Sequence, residues 1–352
     1  MSERRRWNDL PLVQLTRVRY REFFREPEAV FWVFIFPVLL AAGLGIAFRN
    51  RAADRTSVAV VAVGSGAAGL AQSLRETDGL DVSLLSDSAA AEALRTGEVS
   101  LVAVPGSDGR VEYRYDDTRP ESHIARLVAD DALQRAAGRR DPVPVSNRLV
   151  HERGSRYIDF LVPGLLGMNL MGSGIWGVGF AIVDARKKRL LKRLIATPMS
   201  RPQYLASFVL SRLTLLVIEV GLLLGFGALV FGVPLRGSLV VLVTICLVSS
   251  LAFTSLGLLV SSRVQTMEGA SGLMNLVMLP MWIFSGVFFS ASRFPDSLQP
   301  FIQALPLTAV VDALRANILR GAGWGSIAPE IGIIMAWLGV SFLLALKLFR
   351  WR

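Results

Sequence analysis

Six long apolar runs constrain the fold of this chain more than any other feature. A helix needs roughly 20 mostly apolar residues to cross the hydrocarbon core of a bilayer. The six runs cover residues 29–48, 158–183, 205–231, 238–261, 269–290 and 327–349. Hydrophobic residues make up 52% of the chain and charged residues only 19%, below the roughly 25% that is usual in soluble domains. The sequence therefore predicts an α-helical polytopic membrane protein with six transmembrane helices.

The basic residues predict the orientation of these spans, because cytoplasmic loops carry an excess of lysine and arginine. Those on the side predicted to be cytoplasmic are Arg4, Arg5, Arg6, Arg17, Arg19, Arg21, Arg25, Arg186, Lys187, Lys188, Arg189, Lys192, Arg193, Arg201, Arg263, Lys347, Arg350 and Arg352. The short loops opposite carry only Arg236, Arg293, Arg315 and Arg320. We expect a multi-pass protein of the cell (inner) membrane with both termini in the cytoplasm. The net charge of +10 then reflects topology signals beside anionic lipid, and no nucleic-acid partner is expected.

Residues 1–28 carry an amphipathic pattern ahead of the first span. One face of the helical wheel holds Leu12, Leu15, Tyr20, Phe23 and Phe24. The opposite face holds Gln14, Arg17, Arg21 and Arg25. This pattern predicts a helix lying flat in the cytoplasmic membrane interface; a disordered basic tail is the alternative.

Residues 49–157, between the first two spans, are numerous enough to fold as a separate domain. The pattern predicts strands at 57–63, 80–85, 99–104 and 110–115 and helices at 67–76, 88–95 and 121–137. Alternation of this kind predicts a small inserted α/β domain. The distribution of basic residues places this domain outside the cytoplasm.

The predicted α/β domain contains the sequence Gly64-Ser65-Gly66-Ala67-Ala68-Gly69, which matches a dinucleotide-binding fingerprint. Asp81 or Asp87 lies near the distance expected for a ribose-binding acid. However, the segment faces away from the cytoplasmic nicotinamide pool, and Gly/Ala-rich turns produce this pattern by chance. We therefore predict no bound cofactor. The single cysteine and the two histidines likewise predict no metal site.

The cytoplasmic segment 184–204, between the second and third spans, is dense in charge. Its leucine and isoleucine residues recur at helical spacing up to Thr197-Pro198, which predicts a short amphipathic helix. This helix is either a topology determinant on lipid headgroups or a docking element for a cytoplasmic partner. The candidate docking residues are Arg186, Lys187, Lys188, Arg189, Leu190, Leu191, Lys192, Arg193, Leu194, Ile195, Thr197 and Pro198.

Glu219 and Arg212 are the charged residues inside the third predicted span. A carboxyl group there is costly and often functional. The two residues lie two turns apart on one helix face, so we expect them to pair through a water or a neighbouring helix. Two roles remain open: a polar clamp between helices, or a part in substrate or proton transfer. The second role would fit a proton-coupled secondary transporter, although no inverted repeat is evident.

Residues 291–326, between the last two spans, are punctuated by Pro295, Pro300 and Pro306. They predict a re-entrant or interfacial pair of helices at the outer surface. The full sequence has no GxxxxGK[ST] phosphate loop, no Gly-x-Ser-x-Gly elbow and no His-Glu-x-x-His motif. We therefore expect no catalytic site in this chain.

Three motifs together resemble the permease subunit of ABC-2 type ABC transporters, in the branch with a large extracytoplasmic insertion. They are residues 21–29 followed by Phe36-Pro37, the Leu-x-x-Leu-x-x-Thr-Pro-hydrophobic-Ser pattern at 191–200, and Leu305-Pro306-Leu307. The sequence departs from many relatives at residues 184–192, where basic side chains stand in place of an acidic stretch.

The resemblance implies a permease that dimerises with itself or a paralogue and pairs with separate cytoplasmic ATP-binding cassette subunits. Those subunits would bind the ATP and Mg, and closure of their nucleotide sites would push on residues 186–197. The implied function is export of a hydrophobic or amphiphilic compound such as a drug, lipid or natural product. The alternative from another class is a membrane-anchored sensor that binds a ligand through the α/β domain.

Overall fold

The computed structural model describes residues 11–48, 56–64, 66–106, 110–140, 156–187 and 201–348, with Val143, Ser146 and Gly154. The chain divides into two compact units. The first, which we call the helical unit, comprises Met1–Arg49 and His151–Arg352; the second, which we call the α/β unit, comprises Asn50–Val150.

The secondary structure of the described residues runs as follows. The helices are α1 (Pro11–Arg25), α2 (Pro27–Ala47), α3 (Ala67–Arg75), α4 (Asp87–Thr96), α5 (Pro120–Ala136), α6 (Tyr157–Lys187), α7 (Arg201–Phe231), α8 (Leu239–Ser261), α9 (Met267–Phe284), α10 (Gln299–Ala304), α11 (Pro306–Arg320) and α12 (Trp324–Leu348). The strands are β1 (Thr56–Val61), β2 (Leu80–Leu85), β3 (Leu101–Pro105) and β4 (Val111–Arg114). A π-helical turn over Phe31–Ile35 interrupts the α-helical pattern of α2.

Among the described residues, five helices are long and apolar enough to cross a membrane. They are Pro27–Ala47, Tyr157–Asp184, Leu210–Phe231, Leu239–Ser261 and Trp324–Leu348. The pair α10 and α11, bent by 84° at the break between them, makes six if it is counted as one span. The described part of the chain is thus mostly helical, with five or six candidate spans.

The fifth predicted span, at residues 269–290, corresponds to α9, which ends six residues earlier than predicted. It also falls outside the five helices that qualify by length and hydropathy. The reason for the early end is local: the chain leaves the helix at Ser285, and Gly286 adopts a φ of 74°, which ordinary L residues rarely adopt. The sequence prediction missed this end because the following residues remain apolar.

Helix α6 is the centre of the helical unit and packs against α8, α11, α9, α2 and α7. Its contact with α8 depends on glycine. A Cβ atom on Gly257 would lie 2.8 Å from the carbonyl oxygen of Ile175, and one on Gly174 would lie 2.7 Å from the Cβ of Phe253. Small residues allow this close backbone approach, which replaces the hydrophobic driving force that is absent in lipid. The glycine-rich composition of the second predicted span therefore has a packing role.

The apolar side of the amphipathic helix α1 contacts other helices of the same chain. Its apolar side packs against α7, where the Tyr20 hydroxyl donates to Thr214 Oγ1 at 2.6 Å. The ring of Phe23 also meets the ring of Phe34 edge-on, at a centroid distance of 5.7 Å. The predicted apolar face is thus half-buried against other helices, with the exception of Phe24, which is exposed. The placement of this helix in the membrane interface stays a prediction.

The α/β unit contains a four-stranded sheet in the order β2-β1-β3-β4. Strand β1 pairs in parallel with β2 and β3, while β3 and β4 are antiparallel. Helices α3 and α5 cover one face of the sheet, and α4 covers the other. The alternation of Val58 and Val60 with Ala59 and Val61 gives the two faces separate buried cores.

The predicted elements of this unit begin and end within two residues of the observed ones. Strand β2 has the predicted bounds, and α3 differs by one residue at its C-terminal end. Helix α4 begins after Ser86, whose hydroxyl accepts from the backbone N–H of Ala89, and it ends at Gly97, which has a φ of 79°. These end signals are local, which is why the sequence pattern was sufficient here.

Candidate functional site

The candidate site is a polar network buried inside the helical unit, centred on an ion pair within α7. Arg212 Nη1 donates to Glu219 Oε1 at 2.8 Å, and Nη2 lies 3.3 Å from Oε2. The side chain of Glu219 is fully buried and that of Arg212 is 14% exposed. The prediction of pairing through a water or a neighbouring helix is wrong, because the arginine side chain reaches along its own helix and contacts the carboxylate directly.

Two serine residues on neighbouring helices complete the coordination of this pair. Arg212 Nη2 donates to Ser173 Oγ of α6 at 2.5 Å, and Arg212 Nε donates to Ser250 Oγ of α8 at 3.3 Å. The Ser173 hydroxyl carries a single proton, which points to the carbonyl of Asn169 at 2.6 Å or to Glu219 Oε2 at 3.2 Å. The charges of α7 are therefore hydrogen-bonded to both flanking helices.

The network continues from α6 to the π-helical turn of α2 through Asn169. In a regular helix the carbonyl of Val33 would accept from the backbone N–H four residues later, but that residue is Pro37, which has none. The ring of a proline also crowds that carbonyl, and a π-helical turn accommodates the crowding. Asn169 Nδ2 donates to Val33 O at 3.0 Å and so supplies the missing donor.

The network joins α2, α6, α7 and α8 within a region that has little access to water. Because its members satisfy one another, the arrangement can hold four helices in fixed register. Of its residues, Arg212 and Glu219 were predicted from the sequence, whereas Ser173, Ser250 and Asn169 were not. The signal for Asn169 was available: a proline four residues after Val33 leaves a carbonyl that needs an outside donor.

Arg186 lies at the C-terminal end of α6, where its side chain caps another helix. Its guanidinium donates to the carbonyls of Ser261 at 3.2 Å, Ser262 at 3.2 Å and Val264 at 2.5 Å. These carbonyls belong to the last residue of α8 and to the residues just after it, where a cation also interacts favourably with the helix dipole. Arg186 was predicted as a docking residue, and the structure places it in a contact between α6 and the α8–α9 turn.

Of the other predicted docking residues, Lys187 is exposed at the end of α6. The remaining ones lie outside the described residues: Lys188, Arg189, Leu190, Leu191, Lys192, Arg193, Leu194, Ile195, Thr197 and Pro198.

A second arginine contact lies near the bent pair α10–α11. Arg315 stacks on the ring of Phe160, with 3.5 Å between its Cζ and the ring centroid. It also donates to the carbonyl of Phe160 at 3.1 Å and to that of Gly286 at 2.6 Å. Arg315 therefore ties α11 to the start of α6 and to the turn where α9 ends. Arg315 was interpreted from the sequence as an orientation signal, and these contacts were not predicted.

The glycine-rich motif of the α/β unit lacks a feature of the dinucleotide fingerprint. Gly64 has a φ of 72°, as a tight turn after β1 requires. In the fingerprint, however, the third glycine allows close packing of helix and strand. A Cβ atom on Gly69 would meet no atom within 4 Å, so this position has no packing need for glycine. Within the described part of the chain, no group of three or more metal-ligating side chains occurs.

Comparison with known proteins identifies similarity over most of the chain. The family model described as ABC-2 family transporter protein matches residues 28–347. The inner membrane transport permease YhhJ of Escherichia coli is 27% identical over 173 residues, which are 49% of this chain and 46% of that protein. The linearmycin resistance permease protein LnrN of Bacillus subtilis is 28% identical over 174 residues, 49% of this chain and 45% of that protein.

Nodulation protein J of Bradyrhizobium diazoefficiens is 29% identical over 206 residues, covering 56% of this chain and 76% of that protein. The chain spans slightly less than half the length of the two permeases. The candidate spans and the similarity to inner membrane permeases agree on a multi-pass membrane protein.

Proposed function

Because the chain belongs to the ABC-2 family of transporter proteins, we propose that it is the permease subunit of an ATP-driven exporter. It moves a hydrophobic or amphiphilic compound out of the cell, and a separate ATP-binding cassette subunit supplies the energy. The match over residues 28–347 is the observation that carries this proposal. The name of the Bacillus relative, a linearmycin resistance permease, favours a drug or natural product as the substrate class.

In this proposal the chain has no ATPase site of its own, and the ATP and Mg bind to the partner subunit. The absence of a GxxxxGK[ST] loop from the sequence supports that division. Two copies of the chain, or one copy and a paralogue, form the membrane part. The charge distribution supports cytoplasmic termini and an α/β unit outside the cytoplasm.

The coupling segment in this proposal runs from Arg186 to Pro198. The guanidinium of Arg186 contacts three carbonyls at the α8–α9 turn, so a push on the end of α6 also acts on α8. The helix–helix contact at Gly174 and Gly257 supports joint movement of α6 and α8, because backbones in such close contact separate only at a cost.

Glu219 acts as a clamp rather than a proton carrier in this proposal. Its carboxylate is bonded to Arg212 and lies within reach of Ser173. A proton carrier requires alternating access to water on both sides, and the full burial of this side chain favours a structural role. Because the Glu219 carboxylate already accepts these hydrogen bonds, it offers no free polar group to a substrate.

The test is coexpression with the ATP-binding cassette protein encoded in the same gene neighbourhood. We expect copurification of the two proteins and ATP-dependent efflux of amphiphilic dyes or drugs from cells. A variant combining Lys187→Glu, Lys188→Glu and Arg189→Glu should abolish copurification, because it reverses the charge of the proposed docking surface.

The matched control combines Arg95→Glu, Arg126→Glu and Arg135→Glu on exposed helical positions of the α/β unit. It changes net charge equally and should leave copurification intact. If the two proteins fold and neither copurify nor support ATP-dependent efflux, the exporter proposal is wrong. Ligand-dependent signalling without efflux would instead identify the sensor function.

A further inference from the structure

The outward side of α1 carries a basic stripe, which we define as Arg17, Arg21 and Arg25. The three residues are spaced four apart, so they follow one another along a single helix face over about 12 Å. All three are exposed, and within the described part of the chain they have no hydrogen-bond or ion-pair partner. The acidic residue of the same helix, Glu22, lies 3.8 Å from Arg19 instead.

Two apolar side chains border the basic stripe. Val18 is 47% exposed on one edge and Phe24 is 55% exposed on the other. The opposite side of α1 packs against α7 and against Phe34 of α2. The orientation of the helix is therefore fixed by protein contacts, and the mixed basic and apolar side must face the surroundings.

The position of α1 relative to the candidate spans indicates what those surroundings are. The helix ends at Arg25, two residues before the candidate span that begins at Pro27. The Tyr20 hydroxyl also donates to Thr214 Oγ1, which lies within the candidate span Leu210–Phe231. The stripe therefore adjoins the end of a candidate span, and the ends of spans are where lipid headgroups meet the acyl chains.

Like charges spaced four residues apart destabilise a helix unless a counter-charge is present. Lipid phosphates provide such a counter-charge at this depth, and guanidinium groups bind phosphate oxygens in a bidentate geometry. Val18 and Phe24 would meanwhile contact acyl chains, as the apolar parts of interfacial helices do.

We propose that the basic stripe of α1 is a binding site for the phosphate groups of anionic lipids in the adjacent leaflet. Arg17, Arg21 and Arg25 bind the headgroups, and Phe24 and Val18 contact the upper acyl chains. This role is independent of the transport proposal, because a chain that exports nothing would bind lipid in the same way.

The test measures lipid affinity of the full-length protein in detergent by native mass spectrometry. Phosphatidylglycerol, phosphatidylcholine and inorganic phosphate serve as the three probes. At about fivefold per arginine near an anionic surface, the variant Arg17→Gln/Arg21→Gln/Arg25→Gln should bind phosphatidylglycerol on the order of 100-fold more weakly. Phosphatidylcholine binding should change little.

Three further variants make the result specific. The triple lysine variant at the same positions keeps the charge and should retain most of the preference for phosphatidylglycerol. Arg21→Gln alone, a milder change in case the triple variant fails to fold, should weaken phosphatidylglycerol binding about fivefold. The control Arg95→Gln/Arg126→Gln/Arg135→Gln should bind as the wild type does.

An unchanged preference for phosphatidylglycerol in both the triple and the single glutamine variants would overturn the proposal. Equal affinity for inorganic phosphate would identify a free-ion site instead and would also overturn it. The same holds if the glutamine variants keep their lipid affinity but lose copurification with the ATP-binding subunit, since the stripe would then be a protein-docking surface.

Discussion

Arginine–carboxylate pairs occur in both units of the chain, but they are built differently. In the helical unit, Arg212 and Glu219 are buried and bonded to serines of two other helices. In the α/β unit, the pair of Arg95 and Glu92 has side chains 74% and 58% exposed. A pair exposed to water contributes little because water already solvates both charges. Inside a helix bundle surrounded by lipid no such solvation is available. Each charged or hydrogen-bonding group of the buried network therefore needs a partner within the protein.

The comparison implies that single substitutions should be severe in the buried network and mild in the exposed pairs. It also implies that the buried network should tolerate removal as a whole better than removal of one part. Replacing both partners of a buried pair by apolar groups of similar size is often neutral, whereas leaving one charge unpaired is strongly destabilising.

The largest effect is expected at the ion pair of α7. Glu219→Ala leaves the guanidinium of Arg212 buried without its counter-charge and should lower the free energy of unfolding by about 3–5 kcal/mol. Thermal unfolding of the purified protein in detergent measures this change.

The double variant Arg212→Met/Glu219→Leu provides the control, because it removes both charges together. It should recover most of the lost stability and retain efflux. If the double variant is stable but efflux is lost, Glu219 has a functional role, and the clamp assignment is wrong.

The second effect is expected at the carbonyl of Val33. Asn169→Leu removes this donor from a partly buried carbonyl, which should cost about 1–2 kcal/mol of stability. Adding Pro37→Ala restores a backbone N–H that can reach Val33 in a regular helix. The double variant should therefore be more stable than Asn169→Leu alone in the same unfolding measurement. Equal stability of the two would show that Asn169 acts by some means other than satisfying Val33.

The third effect is expected at the end of α6 and concerns coupling more than stability. Arg186→Gln loses charge-assisted bonds to carbonyls at the α8–α9 turn, and because this side chain is partly exposed we expect a cost of only about 1 kcal/mol. We expect the amount of substrate exported per ATP hydrolysed to fall, since the end of α6 no longer holds α8. Lys187→Gln, next to it and exposed, is the matched control and should change neither quantity.

The two units also differ in how much of them the sequence predicts. The strands and helices of the α/β unit follow local signals, so elements such as β2 and α4 were found at or near their observed ends. In the helical unit, the apolar runs predict that helices exist but give few indications of where they end, as α9 shows at Ser285.

The candidate site illustrates the same limit. Charged residues in an apolar run are conspicuous, so Glu219 and Arg212 were found. Their partners Ser173 and Ser250 come from helices distant in sequence, and nothing local distinguishes these serines from others in the same runs. Arg186 was found as a charged residue, but its contacts with the α8–α9 turn depend on tertiary packing.

The smallest effect is expected at the exposed pairs of the α/β unit. It tests whether an ion pair in water contributes little to stability. Glu92→Gln removes the carboxylate that accepts from Arg95 Nη2 at 2.6 Å. Both side chains remain in water, so we expect no measurable shift in Tm at physiological salt. Asp87→Asn, at the exposed pair with Arg114, should behave alike. A loss of stability here comparable to that of Glu219→Ala would show that burial is not what distinguishes the two kinds of pair.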